Sequence, residues 1–217
     1  MNSGRAPGPP PISARLADGR APIARLVVAS KNPDKVVEIE SVLVSEGVVD
    51  EIVTGLSWPD IDETEATLEG NALLKARTVA AATGYPSLAD DTGLEVTALG
   101  GEPGVNTARF AGPQASYQDN VDKMLAVLEG VEDRRASFRS VIALVWPGGE
   151  ELLAEGKLDG AIARAARGRF GFGYDPIFEI DGLTLGEIGP EAKAQMSHRA
   201  LALKSLAKLL RDPTPSV

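Results

Sequence analysis

The chain has 217 residues, 43% of them hydrophobic, with 22 Lys and Arg against 31 Asp and Glu for a formal net charge of -9. That is enough chain for one large domain or two small lobes with a proper core, and no run approaches the ~18 apolar residues of a membrane span. With no cysteine and His198 as the single histidine, disulfides, thiolate catalysis and Cys or multi-His metal sites are excluded. The acidity argues against a nucleic-acid polymer as partner, but an anionic small substrate stays open, because such sites are built from local cations and backbone amides.

Residues 1–25 hold Pro7, Pro9, Pro10, Pro11 and Pro22 and four arginines against one acid, Asp18. They show no apolar periodicity, which predicts a disordered N-terminal extension ahead of a domain over 26–217. Leu26–Ser30 reads as a short buried strand. Asn32 suits the cap of the following helix and Pro33 its first turn. Val36, Val37, Ile39, Val42 and Leu43 form that helix's apolar stripe, and Gly47 ends it. Glu51–Thr54 reads as a second strand. The turn Ser30-Lys31-Asn32-Pro33-Asp34-Lys35 has the makings of a phosphate site, since free N–H groups at a helix start attract anions; it also fits an ordinary solvated first turn.

An acidic loop, Ser57–Glu65, precedes a helix over about Thr67–Thr83 that Gly84 ends. Glu63, Glu69 and Lys75 point either at a site or at water. The stretch from Ser87 to Gly112 follows. It reads as an apolar strand, Ser87-Leu88-Ala89, that ends in Asp90 and Asp91 and turns at Thr92-Gly93. Acids at a strand end sit where α/β proteins bind ligands, and paired hard oxygens suit Mg²⁺. The same tetrapeptide also reads as an Asx turn. Gly100, Gly101, Gly104 and Gly112 around Asn106, Thr107 and Arg109 suggest a backbone that turns tightly and comes close to something.

Ser116 and Asp119 form a capping box for a helix reaching Gly130. Ala136–Trp146 reads as a strand, and Pro147-Gly148-Gly149 turns it back into Glu151–Ala154, a hairpin that argues for a mixed sheet. In Gly168–Phe178, glycines alternate with Phe170, Phe172 and Tyr174 ahead of Asp175. This pattern suits stacking and edge-reading of a purine base, and equally a Gly-aromatic strand edge in a core. Ser197 caps a closing helix with Leu201, Leu203, Leu206, Leu209 and Leu210 on its apolar side. His198 and Arg199 fall in its first turn, where cations are disfavoured and call for a compensating anion or acceptor.

Four segments stand in order: Ser30-Lys-Asn-Pro-Asp-Lys35; Ala89-Asp-Asp-Thr-Gly93 with Gly104-Val-Asn-Thr-Ala-Arg-Phe-Ala-Gly112; Gly171-Phe-Gly-Tyr-Asp-Pro-Ile-Phe178; and Ser197-His-Arg199. With Asn71-Ala-Leu-Leu-Lys-Ala76 they closely resemble the inosine triphosphate pyrophosphatase family, which removes the non-canonical purine nucleotides ITP, dITP and XTP. The resemblance spans Leu26 to about Leu210. It implies an elongated, two-lobed α/β fold with a mixed central sheet flanked by helices and a nucleotide cleft between the lobes. It also implies a cytoplasmic, Mg²⁺-dependent homodimer that yields the monophosphate and pyrophosphate.

By motif, Ser30, Asn32 and Lys35 resemble the triphosphate-binding turn, with Lys31, Pro33 and Asp34 in the same segment, and Lys75 resembles its helix lysine. Asp91 resembles the water-activating base and a metal ligand, and Glu63 the second acidic ligand. Thr92 takes a substrate-contacting position. Phe172, Gly173, Tyr174, Asp175, Lys193, His198 and Arg199 resemble the base pocket, where donors such as His198 and Arg199 would read the 6-keto edge and be left unpaired by adenine. Asp34 stands where glycine often precedes the lysine, and Thr92 and Thr107 where serine is commoner. A Maf-like pyrophosphatase for modified pyrimidine nucleotides and a catalytically silent nucleotide-binding protein are the alternatives.

Overall fold

A computed structural model describes residues 23–211; most of the predicted N-terminal extension therefore lies outside the described residues. β1 (Ile23–Val28), α1 (Pro33–Ser45) and β2 (Val49–Ile52) make a parallel β-α-β unit. α1 starts as its sequence dictates: Asn32 accepts from Asp34 N through its side chain, and Pro33 fills the first turn. α2 (Leu68–Thr83) is capped by the Thr67 hydroxyl and closed by Gly84 in the left-handed region. β3 (Ser87–Val96) and the two-residue β4 (Pro103–Gly104) precede α3 (Tyr117–Val127), which carries the Ser116/Asp119 capping box. β5 (Arg135–Val145) and β6 (Glu151–Ile162) form a long hairpin; β7 (Phe178–Ile180), β8 (Leu183–Thr184), α4 (Pro190–Met196) and α5 (His198–Arg211) complete the chain.

The strands form one open mixed sheet in the order β2-β1-β3-β5-β6-β7-β8, with β4 paired to β3. β1 runs parallel to both neighbours, and every later pairing is antiparallel. Period-two alternation sends Leu88, Ile142 and Leu144 to the face covered by α1 and α5, and Ala89, Val141 and Ala143 to the face covered by α2. Leu94, Val96, Phe138, Ile177 and Phe178 pack with Val121 and Met124 of α3 in a third cluster, the core of a second lobe.

Several boundaries differ from the sequence reading; β2, for one, lies at Val49–Ile52 rather than Glu51–Thr54. β1 takes in Ile23–Arg25, which were placed in the extension. β6 runs eight residues past Ala154; its exposed charges and two glycines hide the strand pattern. Most consequentially, β3 does not end at the acids. Thr92 and Gly93 continue it to Val96, paired with β5 throughout. Gly93 is there for closeness rather than for a turn: a Cβ on it would stand 3.1 Å from the Gly104 carbonyl oxygen of β4. Asp90 and Asp91 thus lie in mid-strand at the centre of the sheet, not at its edge.

Candidate active site

Being neighbours on a strand, Asp90 and Asp91 point to opposite faces and do not share one cation. Asp90 faces α1 and α5. Its Oδ2 receives Lys35 Nζ at 3.2 Å and the Arg199 Nε and Nη2 groups at 3.0 Å. Burial alone would raise its pKa, but Lys35 and Arg199 outweigh burial and hold the carboxyl far below the usual carboxylate range. Asp91 faces α2. Its Oδ1 accepts from Lys75 Nζ at 2.7 Å, and the same ammonium reaches Glu63 Oε1 at 2.7 Å. Asp91 Oδ2 has only Asn71 Nδ2, at 3.5 Å. Here burial prevails: it pushes the Asp91 pKa up, Lys75 counters, and the nearby Glu63 carboxylate adds to the rise. For Lys75 burial acts downward, but Asp91, Asp90 and Glu63 keep it above its ordinary value, so it stays an ammonium at neutral pH. Asp90 is therefore a committed anion, and Asp91 is the carboxylate able to take up a proton.

An open cleft of about 820 Å³ is bounded by Ser30, Lys31, Asn32, Lys35, Glu63, Lys75 and Asp90, among others; Asp91 lies behind this lining and meets it through Lys75. A second cavity of about 610 Å³ holds Thr92, Phe172, Gly173, Tyr174, Asp175, Lys193, His198 and Arg199, and shares Asn32, Lys35 and Ala108 with the first. The shared residues make the two spaces one continuous site: a cationic end beside the Lys75 bridge and an aromatic end between the lobes.

The aromatic end is organised by Asp175. Its Oδ2 accepts from Phe172 N at 2.7 Å and Lys193 Nζ at 2.5 Å, folding the loop so tightly that a Cβ on Gly171 would lie 2.0 Å from that oxygen. Burial raises the Asp175 pKa and Lys193 opposes the shift. Lys193 stands 4.8 Å and the Arg199 guanidinium 5.7 Å from the Phe172 ring centroid. Both Phe172 and Tyr174 line the cavity; Tyr174 is the more buried, with its hydroxyl donating to the Thr107 carbonyl. His198 is 3% exposed and stacks on Phe138 at 4.4 Å. Burial drives its pKa well below the ordinary value, so it is neutral, and its Nδ1 lacks a partner.

Lys31 borders the cationic cleft and makes an exposed ion pair with Asp60, which borders it too. Pro33 and Asp34 border neither space; Asp34 is turned toward Tyr117, the first residue of α3. Arg199 is not a free donor, because its three nitrogens contact Asp90, Glu38 and Thr92. The anion expected beside this basic pair is thus a pair of carboxylates. Glu38 was missed. It joins Lys193, at 2.6 Å, to Arg199 across 155 residues of sequence. The only local hint was its place one turn beyond Lys35 on α1. Tyr117, Asn120 and Phe138 also border the cavity, and no spacing in the sequence announced them.

The Ham1 family model matches residues 26–209. The chain belongs to the Ham1 family. It is 47% identical over 194 residues to a dITP/XTP pyrophosphatase of Caulobacter vibrioides, covering 87% of this chain and 99% of that relative. To the protein of the same description from Symbiobacterium thermophilum it is 50% identical over 184 residues, 82% of this chain and 91% of the other. Among solved structures, the Ham1 protein of Coxiella burnetii superposes with a TM-score of 0.77 at 40% identity, covering 87% of this chain and 98% of that one. A nucleoside-triphosphatase / dITP/XTP pyrophosphatase from Mycobacterium abscessus gives 0.67 at 44% identity, covering 86% and 100%. The Ham1 match over residues 26–209 takes in every site residue from Ser30 to Arg199.

Proposed function

We propose that this chain hydrolyses the aberrant purine nucleotides dITP, ITP and XTP to the monophosphate and pyrophosphate, clearing them from the nucleotide pool. The observation that carries the reading is the Lys75 ammonium bridging Asp91 and Glu63 at the cationic end of a cleft whose other end is walled by Phe172. Relatives 42–50% identical that are described as dITP/XTP pyrophosphatases support the substrate class.

Water attacks the α-phosphorus, the bond to the bridging oxygen breaks, and pyrophosphate leaves with the electron pair. Such a reaction depends on positioning and charge neutralisation more than on covalent help. Asp91 Oδ2, the oxygen not held by Lys75, takes the proton of the attacking water. Lys35 and Lys75 oppose the polyphosphate charge. Asn32 and the turn from Ser30 to Lys35 present donors to it. Phe172 stacks on the base, and neutral His198 offers one N–H toward a 6-keto edge; an adenine amino group would leave that donor unpaired.

Two carboxylates from separate elements converge on one cation, and among the described residues no third His, Cys, Asp or Glu joins them. That donor set fits Mg²⁺, which keeps several waters and substrate oxygens in its shell. Asp91 and Glu63 would hold the ion, which when bound neutralises phosphate charge and lowers the pKa of water. A cytoplasmic homodimer is the remaining part of the proposal, and it rests on the family resemblance alone.

The test is pyrophosphate release across a nucleotide panel with and without Mg²⁺. ITP, dITP and XTP should be cleaved, ATP far more slowly, and chelation should abolish turnover. Preference for modified pyrimidine nucleotides, or binding without release from any nucleotide, would overturn the reading.

A further inference from the structure

Tyr117 ties the two ends of the cleft together. Its hydroxyl accepts from Asn32 Nδ2 at 2.8 Å and donates to Asp34 Oδ2 at 3.3 Å, and its ring lies against Phe172 with centroids 5.8 Å apart, tilted by 37°. The proton logic is directional. An ionised carboxylate only accepts, so the phenol proton goes to Asp34 and an oxygen lone pair remains for the Asn32 amide. The other end of that amide, Oδ1, accepts from Asp34 N at 3.0 Å. Asn32 is thereby held at both ends, its oxygen on the start of α1 and its nitrogen on a residue of the second lobe. Asn32 borders both the cationic cleft and the aromatic cavity. The same contact draws the Asp34 carboxylate, which would oppose a polyphosphate, to Tyr117.

We propose, on the basis of the nucleotide-binding reading above, that Tyr117 is a positioning residue for the substrate. Its hydroxyl sets the Asn32 amide and Asp34 at the phosphate turn, and its ring backs Phe172 at the base. The hydroxyl acts on the polyphosphate and the ring on the base, so the two contributions separate by probe.

The experiment compares the full chain with Tyr117→Phe and Tyr117→Leu. It measures calorimetric binding of inorganic tripolyphosphate and of α,β-imido-ITP, steady-state kinetics with ITP, and thermal melting. Tyr117→Phe should weaken both ligands by about three- to tenfold, the worth of one net hydrogen bond. It should raise KM with kcat changed less than about twofold on the same estimate, and leave melting unchanged. Tyr117→Leu should weaken α,β-imido-ITP further while affecting tripolyphosphate no more than Tyr117→Phe does. Parent-like tripolyphosphate binding by Tyr117→Phe, or a loss confined to kcat, overturns the proposal. A parent that binds both probes yet releases no pyrophosphate from any nucleotide refutes hydrolysis, and the binding comparison still decides the role of Tyr117. A parent that binds neither refutes both.

Discussion

Asp90 and Asp91 are adjacent and chemically identical, and their surroundings give them different work. Asp91→Asn removes the proton acceptor while keeping size and one oxygen, so ITP hydrolysis in single turnover should slow at least about a hundredfold, the usual worth of a general base, with ITP binding retained. Near-parent turnover by that variant would dismiss Asp91 as the base. In the metal-free protein burial raises the Asp91 pKa, so its carboxyl should titrate above the ordinary aspartate value of about 3.9, a shift that bound Mg²⁺ would reverse. No inflection near pH 6.5 should come from His198, which burial keeps neutral. Asp90 behaves in the opposite sense. Its folded pKa is depressed, so its contribution to stability is complete above the unfolded aspartate value and is lost as pH falls toward the lower folded value. Arg199→Ala would leave Asp90 and Glu38 without their shared cation. Breaking a buried pair of this kind costs about 3–5 kcal/mol, so chemical denaturation should show a large loss of stability. A fully stable Arg199→Ala protein with altered base preference would restore Arg199 as a simple base donor.

At the scale of elements, the legible parts were those whose signals are local. The caps at Asn32, Ser116 and Ser197 and the stop at Gly84 all follow from residues suited to helix ends. The end of β3 is hidden because Asp, Thr and Gly are ordinary turn residues, while its continuation depends on ten paired positions along β5, 40 to 58 residues away in sequence. The opposite-face geometry of Asp90 and Asp91 follows from that continuation. β6 shows the same limit. Gly156 sits in it because α5 crosses directly on its backbone: a Cβ there would meet the Ala202 nitrogen and the His198 carbonyl oxygen at 2.2 Å. Gly156→Ala must push α5 away from the sheet, and α5 begins with His198 and Arg199. Melting temperature and ITP turnover should therefore fall together. An alanine variant with parent-like melting would show that the helix can shift at no cost, and with it that the sheet does not fix the position of these two residues.

The molecule as a whole carries its site between three packed clusters. The α1/α5 cluster presents Lys35 and Arg199, the α2 cluster presents Lys75, and the second lobe presents Phe172 and Tyr117. The family resemblance anticipated this division, because the motifs fall on segments far apart in sequence and have a common purpose only if the chain brings them together. It could not supply Glu38, whose partners Lys193 and Arg199 meet it only in the folded chain. Residues 1–22 stand apart from this organisation in their sequence. They contain all five of the prolines before Pro33, no apolar periodicity, and nothing that matches the Ham1 family model, which starts at Leu26. The body needs only that β1 be left whole, since Ile23 is 2% exposed and pairs with Val49. Removing residues 1–22 should then leave ITP turnover within about twofold of the full chain and the melting temperature within about 2 °C, less than a 1 kcal/mol change would produce in a domain of this size. Extending the deletion through Arg25 removes half of β1 and should lower melting clearly. If the shorter deletion already costs several degrees or abolishes turnover, the N-terminal segment packs on the body, and the domain boundary lies before Ile23.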